Sequence, residues 1–326
     1  PQTTNQTNKS KALFFEGDYS FSDSWTLTLG GRWTEDKKTT DQDSLGHPFT
    51  YDASAKADWS EFTPKAALKY DFSDGSMIYG LFSAGYRSGG FNGRIDSVET
   101  AVAPYDPETV DNYELGYRSE WANRTVIFNA TIFYMDYADK QEEIQLASES
   151  SGTGQVTRVF NAANATIKGA EFELMWLVSE GFTLRANLGL LDAKYDDFVV
   201  NTGTAEDPMF TDFSHLDFRR APKNNFSLVG NYEWQVGGGR MMIQAGWRYL
   251  GAHEVDFANK PELHNSAQNL IDGSINYYYN DWYFSLFGRN LADEDGYQIG
   301  FDVASLWSYA APRPPRTYGF EVGIRF

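Results

Sequence analysis

Apolar and polar residues alternate along almost the whole chain of 326 residues. The pattern is clearest near the end, where Tyr318, Phe320, Val322, Ile324 and Phe326 alternate with polar or small residues. A period of two places successive side chains on opposite faces of a β-strand. Helical periodicity is not sustained in any segment. The sequence therefore predicts an all-β protein whose strands have one apolar and one polar face.

Turn residues separate the alternating segments and divide the chain into about 13 predicted strands. Their bounds are roughly residues 10–21, 25–37, 60–72, 77–87, 111–121, 125–146, 156–177, 182–198, 218–234, 240–253, 266–279, 282–292 and 316–326. The alternation is less regular in the sixth segment, where Asn129 and Thr131 share a face with apolar side chains. Strands of this kind, following one another along the chain, predict a large antiparallel sheet.

The connections between the predicted strands are alternately short and long. The short ones are rich in Gly, Asn, Asp and Ser, which favour tight turns, and lie at 22–24, 73–75, 122–124, 179–181, 236–239 and 280–281. The long ones lie near 38–60, 88–110, 147–156, 199–217, 254–265 and 293–315. This order places all short turns at one end of the sheet. It is typical of an outer-membrane β-barrel, which has short periplasmic turns and longer extracellular loops.

Tryptophans lie beside the predicted short turns, at Trp25, Trp121, Trp176, Trp234 and Trp282. In a membrane barrel, such amphipathic rings form an aromatic girdle at the level of the lipid headgroups. The alternative is that they are core residues of a soluble β-sandwich or propeller. A soluble sheet needs a second apolar layer to cover its apolar face. Since no segment remains to supply that layer, the pattern favours the transmembrane barrel.

Composition narrows the functional class. The chain has 45 acidic and 27 basic side chains, a net charge of -18 and no cysteine. This charge argues against nucleic acid as a partner, because phosphate binding requires a basic face. The absence of cysteine excludes disulfides and a cysteine nucleophile. A mean hydropathy of -0.49, without any run of about 18 apolar residues, excludes a transmembrane helix.

An odd number of strands carries a further implication. Bacterial single-chain barrels have an even number of strands, with both termini on the periplasmic side. Counting back from the last strand, at residues 316–326, places the start of the first strand on the extracellular side. Residues 1–9 are polar and are interpreted as the end of an extracellular loop. The chain is therefore expected to be the C-terminal part of a larger barrel.

Five sequence motifs occur in the order found in one known family. They are Tyr86-Arg87-Ser88-Gly89-Gly90-Phe91-Asn92, then Tyr105-Asp106-Pro107-Glu108 leading into Asn112-Tyr113-Glu114-Leu115-Gly116, then Asn161-Ala162 with Ile167-Lys168-Gly169-Ala170-Glu171, then Gly288-Arg289-Asn290-Leu291, and Pro315-Arg316-Thr317-Tyr318-Gly319 through Phe326. With these motifs the chain resembles the barrel domain of TonB-dependent outer-membrane receptors, whose barrels have 22 strands around a plugged lumen. The resemblance covers nearly the whole chain.

The resemblance implies partners and missing parts. Members of the family carry an N-terminal plug and a short energy-coupling box, and neither has a counterpart here. About 9 strands are also expected to be missing, so residues 1–326 are interpreted as a partial barrel domain. Open sheet edges in hydrocarbon are costly, and the chain is not expected to form a functional pore alone. It is interpreted as a truncated gene, a fragment or a partial view of a longer protein.

The resemblance also implies a set of molecular partners. Outer-membrane lipid and lipopolysaccharide would surround the barrel, and the TonB complex would act through the missing plug. In the family, a terminal strand that ends in an aromatic residue looks like the signal that the barrel-assembly machinery reads. The corresponding side chains here are Tyr318, Phe320, Val322, Ile324 and Phe326.

The long loops hold aromatic and polar residues suited to gripping a bulky ligand at the barrel mouth. The candidate ligand-contacting residues of the loops and lumen are Arg87, Phe91, Asn92, Arg94, Tyr105, Trp307 and Tyr309. Packing among the loops themselves is the alternative. Arg118, Arg185 and Arg248, like Arg87, are expected to face the lumen. There they either guide an anionic ligand, such as a ferric chelate, or pair with Glu114, Glu171, Glu173 or the plug.

The sequence shows no convincing catalytic motif, so the chain is not predicted to be an enzyme. His47, His215, His253 and His264 all lie in or beside long loops, and neither a metal site nor a cofactor is predicted from them. The acidic segment at 293–296 fails the spacing of a calcium loop. The glycines at 237–239 have no helix behind them to hold a phosphate.

Three functional hypotheses remain. The first is an active outer-membrane receptor for a bulky, scarce nutrient, with a ferric siderophore or other iron complex as the default ligand and TonB as the energy source. The second is a passive porin or other unplugged barrel. The third is a barrel enzyme or adhesin. An upstream plug and coupling box would separate the first hypothesis from the second.

Overall fold

The structure is a computed structural model that describes residues 2–44, 51–93, 97–148, 154–203, 207–303 and 306–325. Within these residues, thirteen strands form a single sheet. Each sheet strand pairs antiparallel with the sheet strands before and after it in the chain. The result is a simple up-and-down sheet with β1 and β13 as its outermost strands.

The sheet strands are β1 (Gln2–Ser20), β2 (Trp25–Ser44), β3 (Tyr51–Asp71), β4 (Met77–Arg87), β5 (Glu108–Trp121), β6 (Val126–Ala147), β7 (Gln155–Ser179), β8 (Phe182–Asp197), β9 (Asn224–Val236), β10 (Gly239–Leu250), β11 (Gln268–Tyr279), β12 (Trp282–Arg289) and β13 (Thr317–Ile324). The sequence-based prediction of an all-β barrel sheet with about 13 strands is confirmed.

Shorter elements lie in the long connections. In the part of the chain that the structure describes, four small hairpins pair Gly90–Phe91 with Pro104–Tyr105, Val199–Asn201 with Phe210–Asp212, His253–Glu254 with His264–Asn265, and Tyr297–Val303 with Trp307–Pro312. A short α-helix, α1, spans Val98–Val102, and one 3-10 turn spans Pro261–Leu263. Among the described residues, no helix has the length and apolar character needed to cross a bilayer.

Short and long connections alternate as the sequence predicts. The turn between β9 and β10 shows why the short ones can be so tight. Val236 pairs with Gly239, so only two residues form the loop. Both of them, Gly237 and Gly238, have positive φ values of 59° and 77°. A two-residue hairpin of this kind matches the twist of its strands and strongly favours glycine.

The start of the chain differs from its prediction. Residues 2–9, interpreted from the sequence as the end of an extracellular loop, are regular strand and belong to β1, in which Gln2 pairs with Ser44 and Lys9 with Lys37. The expected long connection at 38–60 is also mostly strand, because β2 continues to Ser44 and β3 begins at Tyr51. Residues 51–60 do alternate, with Tyr51, Ala53, Ala55, Ala57 and Trp59 on one face, and the prediction missed this signal. Both faces of residues 2–9 and 38–44 are polar, so hydropathy alternation does not reveal them. Pairing between backbones defines them instead.

The strand lengths indicate how the sheet sits relative to a membrane. Crossing a bilayer takes about 9–11 tilted residues, whereas β2 has 20 residues and β7 has 25. On β2 the apolar outward residues end at Trp33, and the strand continues through polar residues to Ser44. The long strands therefore extend beyond the hydrocarbon layer on the side of the long connections.

The apolar face of the sheet is uncovered. Leu13, Trp33 and Phe62 lie side by side on β1, β2 and β3 and are 75%, 42% and 52% exposed. At the other edge, Leu286 on β12 pairs with Phe320 on β13, and these side chains are 54% and 65% exposed. A continuous exposed apolar face of this kind fits hydrocarbon rather than water.

Aromatic rings on the polar face lie across glycines of neighbouring strands. Tyr79 on β4 pairs with Gly116 on β5, and its ring occupies the space where a side chain on Gly116 would stand. The Tyr79 hydroxyl then accepts a hydrogen bond of 3.1 Å from Arg118. Tyr283 covers Gly323 in the same way at the end of the sheet. Glycine here permits close cross-strand packing.

Substituting Gly116 with valine should lower the free energy of unfolding by about 1–3 kcal/mol, the usual range for overpacking a closed site. The added methyl groups would displace Tyr79, whose phenol ring fills that space. The measurement is the urea concentration at which the protein loses its heat-modifiable migration in gel electrophoresis. This concentration should be lower for G116V than for the wild-type protein. Gly80 is a matched control, because its Cβ position is empty to 4 Å. If G116V and G80V shift the midpoint equally, ring packing is not the cause.

Candidate ligand-binding vestibule

The described parts of the connection between β4 and β5, residues 88–93 and 97–107, fold over the polar face of the sheet; we call this connection the inward loop. On one side it is held by β1 and β2. Lys38 Nζ donates to the carbonyl of Gly89 at 2.5 Å, and Gln42 Nε2 donates to the carbonyl of Asn92 at 2.9 Å. The Gln42 side chain is 1% exposed. A buried amide fixes the path of the loop because it needs these acceptors.

The other side of the inward loop is held by β6 and β7. Asn161 Nδ2 donates to the carbonyls of Asp106 at 2.7 Å, Pro107 at 3.3 Å and Asp139 at 3.0 Å, while its Oδ1 accepts the Asp106 N–H at 2.6 Å. Gln141 Nε2 also donates to the Asp106 carbonyl at 2.9 Å. The inward loop is thus bound to strands on both of its sides and spans the sheet between them.

Three of the sequence motifs meet at this loop. Asn92 Oδ1 accepts the Val159 N–H at 2.7 Å, across 67 residues of sequence. Phe91 is 5% exposed, and its carbonyl accepts a hydrogen bond of 3.2 Å from Gln6. Tyr105 is half-buried in the small hairpin with Gly90, and this burial raises the pKa of its phenol. These predicted contact residues primarily hold the loop in place.

The remaining predicted loop residues lie elsewhere. Arg87 ends β4 and is exposed. Trp307 and Tyr309 are 53% and 47% exposed on a separate hairpin, where both rings contact Phe301. Arg94 lies outside the described residues, as does Phe326 of the terminal strand. The structure therefore does not bring the whole predicted set together.

A second group of loops packs around an aromatic cluster at the long-loop end of β8. Its rings, from Tyr195, Phe198, Phe213, Phe218 and Phe257, have centroids 4.2–5.5 Å apart in successive pairs. Beneath them lies Glu142, which is 4% exposed. Its carboxylate accepts the Tyr195 hydroxyl at 2.8 Å and is paired with Lys140, with Arg219 at 3.7 Å. Buried charge is tolerated here because it is fully paired.

A cavity of about 530 Å³ lies beside this group of loops. We call it the Arg220 cavity. Its polar walls come from Glu143 and Gln145 on β6 and from Arg219, Arg220, Asp256 and Asp302 on the loops, and Ile299 and Phe301 supply apolar surface. The volume falls within the range of small-molecule sites.

Two smaller recesses lie beside the inward loop, on the side of the Arg220 cavity. One, of about 300 Å³, is lined by Glu143, Phe91 and Asn92. The other, of about 260 Å³, is lined by Asn92, Tyr105 and Arg158. Neighbouring recesses share Glu143 or Asn92, so they adjoin one another at the long-loop end of the sheet. We call the three together the vestibule. Of the predicted contact residues, Phe91, Asn92 and Tyr105 line it.

Sequence inspection missed the main polar residues of this vestibule. Glu143 and Gln145 belong to a strand with irregular alternation, and Arg219 and Arg220 follow a long loop. Adjacent arginines directly after a loop rich in acidic residues were the available signal. Without knowledge of which loops meet, that signal does not point to a cavity.

On the polar face below the vestibule, two of the arginines expected to face the lumen have partners within the protein. Arg118 donates to the Ala130 carbonyl at 3.2 Å and to Thr131 Oγ1 at 3.0 Å, so it is held by the wall and not by the predicted glutamates. Arg248 lies 3.9 Å from Asp272 beside a recess of about 390 Å³ that Arg289 also lines. These residues give the lumen wall a mixed charge.

The motif at residues 288–291 and the start of β13 are joined by a compact network. Asn290 Nδ2 donates to the carbonyls of Glu294 at 3.0 Å and Pro314 at 3.2 Å, and Arg316 pairs with Asp293 at 3.2 Å. This network brings the last strand into register with β12. On β13, Tyr318, Phe320, Val322 and Ile324 share the exposed apolar face, with exposures from 40% to 79%.

The outward apolar face, the polar inner face and the folded loops define a transmembrane antiparallel β-barrel protein. Residues 1–291 match the family described as TonB dependent receptor-like, beta-barrel. The chain belongs to this family.

Solved structures share the fold. The ferric yersiniabactin uptake receptor FyuA from Yersinia pestis aligns over 100% of this chain and 47% of its own, with a TM-score of 0.84 and 20% identity. The siderophore receptor PiuA from Acinetobacter baumannii aligns over 98% of this chain and 43% of its own, with a TM-score of 0.74 and 17% identity. The copper transporter OprC aligns over 98% and 49%, with a TM-score of 0.70 and 15% identity. The chain thus spans about half the length of these proteins.

Proposed function

We propose that the protein acts in the outer membrane as a receptor that takes up a bulky, scarce nutrient, with a ferric siderophore or other iron complex as ligand and the TonB complex as energy source. The observation that carries the proposal is the vestibule, which combines three adjoining recesses with an inward loop anchored on both sides. An open diffusion channel has no need of such a cavity.

The similar proteins support this choice of ligand. FyuA and PiuA are a ferric yersiniabactin receptor and a siderophore receptor, whereas OprC is a copper transporter. Iron complexes are therefore the first class to test. The proposal also places lipid and lipopolysaccharide around the apolar face and gives the barrel-assembly machinery the terminal strand as its signal. In the same proposal, the TonB complex acts through a plug.

Deletion of the gene should reduce uptake of radioactive iron, supplied as ferric chelates, to background in an iron-starved strain. Restoring the gene should restore uptake, and inactivating TonB should abolish it again. Uptake that persists without TonB would contradict active transport and favour the passive porin. Unchanged uptake of every chelate after deletion would remove the iron hypothesis itself.

A further inference from the structure

We propose that the Arg220 cavity binds the charged end of a peptide-like iron chelate that carries both a carboxylate and a positively charged or N–H donor group. This inference rests on the proposed function and names the chemical class of its ligand. It depends on a free cation, an unsatisfied acceptor, a surplus of acid and an apolar wall, all lining one cavity.

The two adjacent arginines of the cavity have different roles. Arg219 lies 3.7 Å from the buried Glu142, so part of its charge is already neutralised. The side chain of Arg220 has no ion pair or hydrogen bond among the described residues, and it is exposed in the cavity. Arg220 is therefore the cation available to an incoming carboxylate, which a guanidinium can bind through two parallel hydrogen bonds.

The backbone at Arg220 is held in an uncommon conformation. Its φ is +57°, in the left-handed region that few residues other than glycine adopt. The Arg220 N–H donates to the Glu254 carbonyl at 2.7 Å, which fixes this geometry. Strained backbone is often found where a side chain must be aimed at a ligand. Here it presents Arg220 to the cavity.

An acceptor on the wall of the cavity awaits a donor. Gln145 Oε1 is buried and has no hydrogen-bond donor among the described residues. A buried acceptor without a partner is costly. Rotation of the Gln145 amide toward the cavity would let a ligand N–H or ammonium group satisfy this oxygen. Glu143, which is exposed and lines the same cavity, would add the opposite charge.

The charge balance of the cavity argues against a polyanion. Its walls carry three carboxylates, from Glu143, Asp256 and Asp302, against the two guanidinium groups of Arg219 and Arg220. A strongly negative chelate would form an ion pair with Arg220 but would be repelled by the three carboxylates. A ligand with both signs of charge meets a partner at each position. Ile299 and Phe301 offer an apolar surface to its uncharged part.

The test uses protein purified from outer membranes in detergent and three ferric chelates. They are a triply negative tris-catecholate, a neutral hydroxamate without charged ends, and a hydroxamate peptide with a free carboxylate and ammonium. Isothermal titration should show the peptide chelate binding at least about tenfold tighter than the other two. Trp fluorescence quenching provides an independent measurement.

Three variants link that preference to the cavity. Arg220→Asn removes the charge and introduces a residue that tolerates positive φ. It should lower the affinity for the peptide chelate about 10- to 100-fold. Gln145→Leu should weaken the same chelate about 5- to 10-fold by removing the acceptor. The control is Arg124→Asn, since Arg124 is also an exposed arginine with positive φ, at 68°, in the short turn between β5 and β6. The affinity of R124N for the peptide chelate should equal that of the wild-type protein.

Tighter binding of the tris-catecholate or the neutral hydroxamate would overturn the inference while leaving a ferric-chelate receptor intact. Unchanged affinity in Arg220→Asn, with normal heat-modifiable migration, would also overturn it. If none of the three chelates binds and deletion of the gene leaves iron uptake unchanged, the proposed function fails together with the inference.

Discussion

Replacing Ile243 with lysine is expected to lower the free energy of unfolding of the sheet in a bilayer by about 1–3 kcal/mol, between the cost of a basic side chain at the membrane midplane and its smaller cost near the interface. Ile243 is on the exposed apolar face of β10, where it pairs with Tyr232 and Ile275. Its partner Tyr232 stacks on Trp234 of the short-turn girdle, with ring centroids 5.0 Å apart, so Ile243 lies between that girdle and the membrane midplane. The lysine ammonium would have to leave water or distort the lipid around it.

The neighbouring residue gives a control within the same strand. Gln244 points to the polar face, where its partners across the sheet are Asn231 and Ser274. Gln244→Lys should change the free energy of unfolding by less than about 0.5 kcal/mol, as expected for a polar surface substitution. Urea titration of heat-modifiable migration in lipid vesicles measures both variants. Equal destabilisation by the two lysines would contradict the assignment of the faces.

Replacing Asn161 with alanine should release the inward loop from β7. The side chain makes four hydrogen bonds to backbone atoms of residues 106, 107 and 139, at 2.6–3.3 Å. Since a typical hydrogen bond contributes about 1 kcal/mol, we expect the free energy of local unfolding of the loop to fall by about 2–4 kcal/mol. Limited proteolysis should then cut within residues 88–107 at least about tenfold faster than in the wild-type protein.

Ligand binding gives a second measurement of the same change. The inward loop forms the walls of the two smaller recesses, so N161A should also weaken binding of any chelate that reaches them. The control is Asn187→Ala, because Asn187 Nδ2 donates a hydrogen bond of 3.1 Å to Ser227 Oγ on the polar wall, away from the loop. Faster cleavage in N187A, or none in N161A, would show that Asn161 does not anchor the loop.

Much of the fold is predictable because its cause is local. Alternation in segments such as residues 316–326 requires only neighbouring residues, and it places Tyr318 and Phe320 on one face and Glu321 on the other. Tight turns such as the one at Gly237 and Gly238 are equally local. The strands are too long in the prediction where loops intrude, as at 218–223. They are too short where polar segments pair, as at residues 2–9.

Less of the candidate site than of the fold could be predicted from the sequence. The motif residues Phe91 and Asn92 were expected to contact a ligand, and they do line the vestibule. Their strongest interactions, however, are with the protein, through Gln6, Gln42 and Val159. A motif identifies residues that the chain shares with a family, but it does not distinguish residues that anchor a loop from residues that bind a ligand.

The sequence by itself determined the all-β fold, the two faces of the sheet, the end that carries the short turns and the family of the chain. These properties depend on the order of residues over short distances and on motifs read in order. Only the tertiary structure decided which loops meet and which side chains remain free. It placed Arg220 and Gln145 in one cavity and paired Arg219 with Glu142. Contacts between distant segments depend on how the sheet curves and how the loops pack, and no local pattern encodes them.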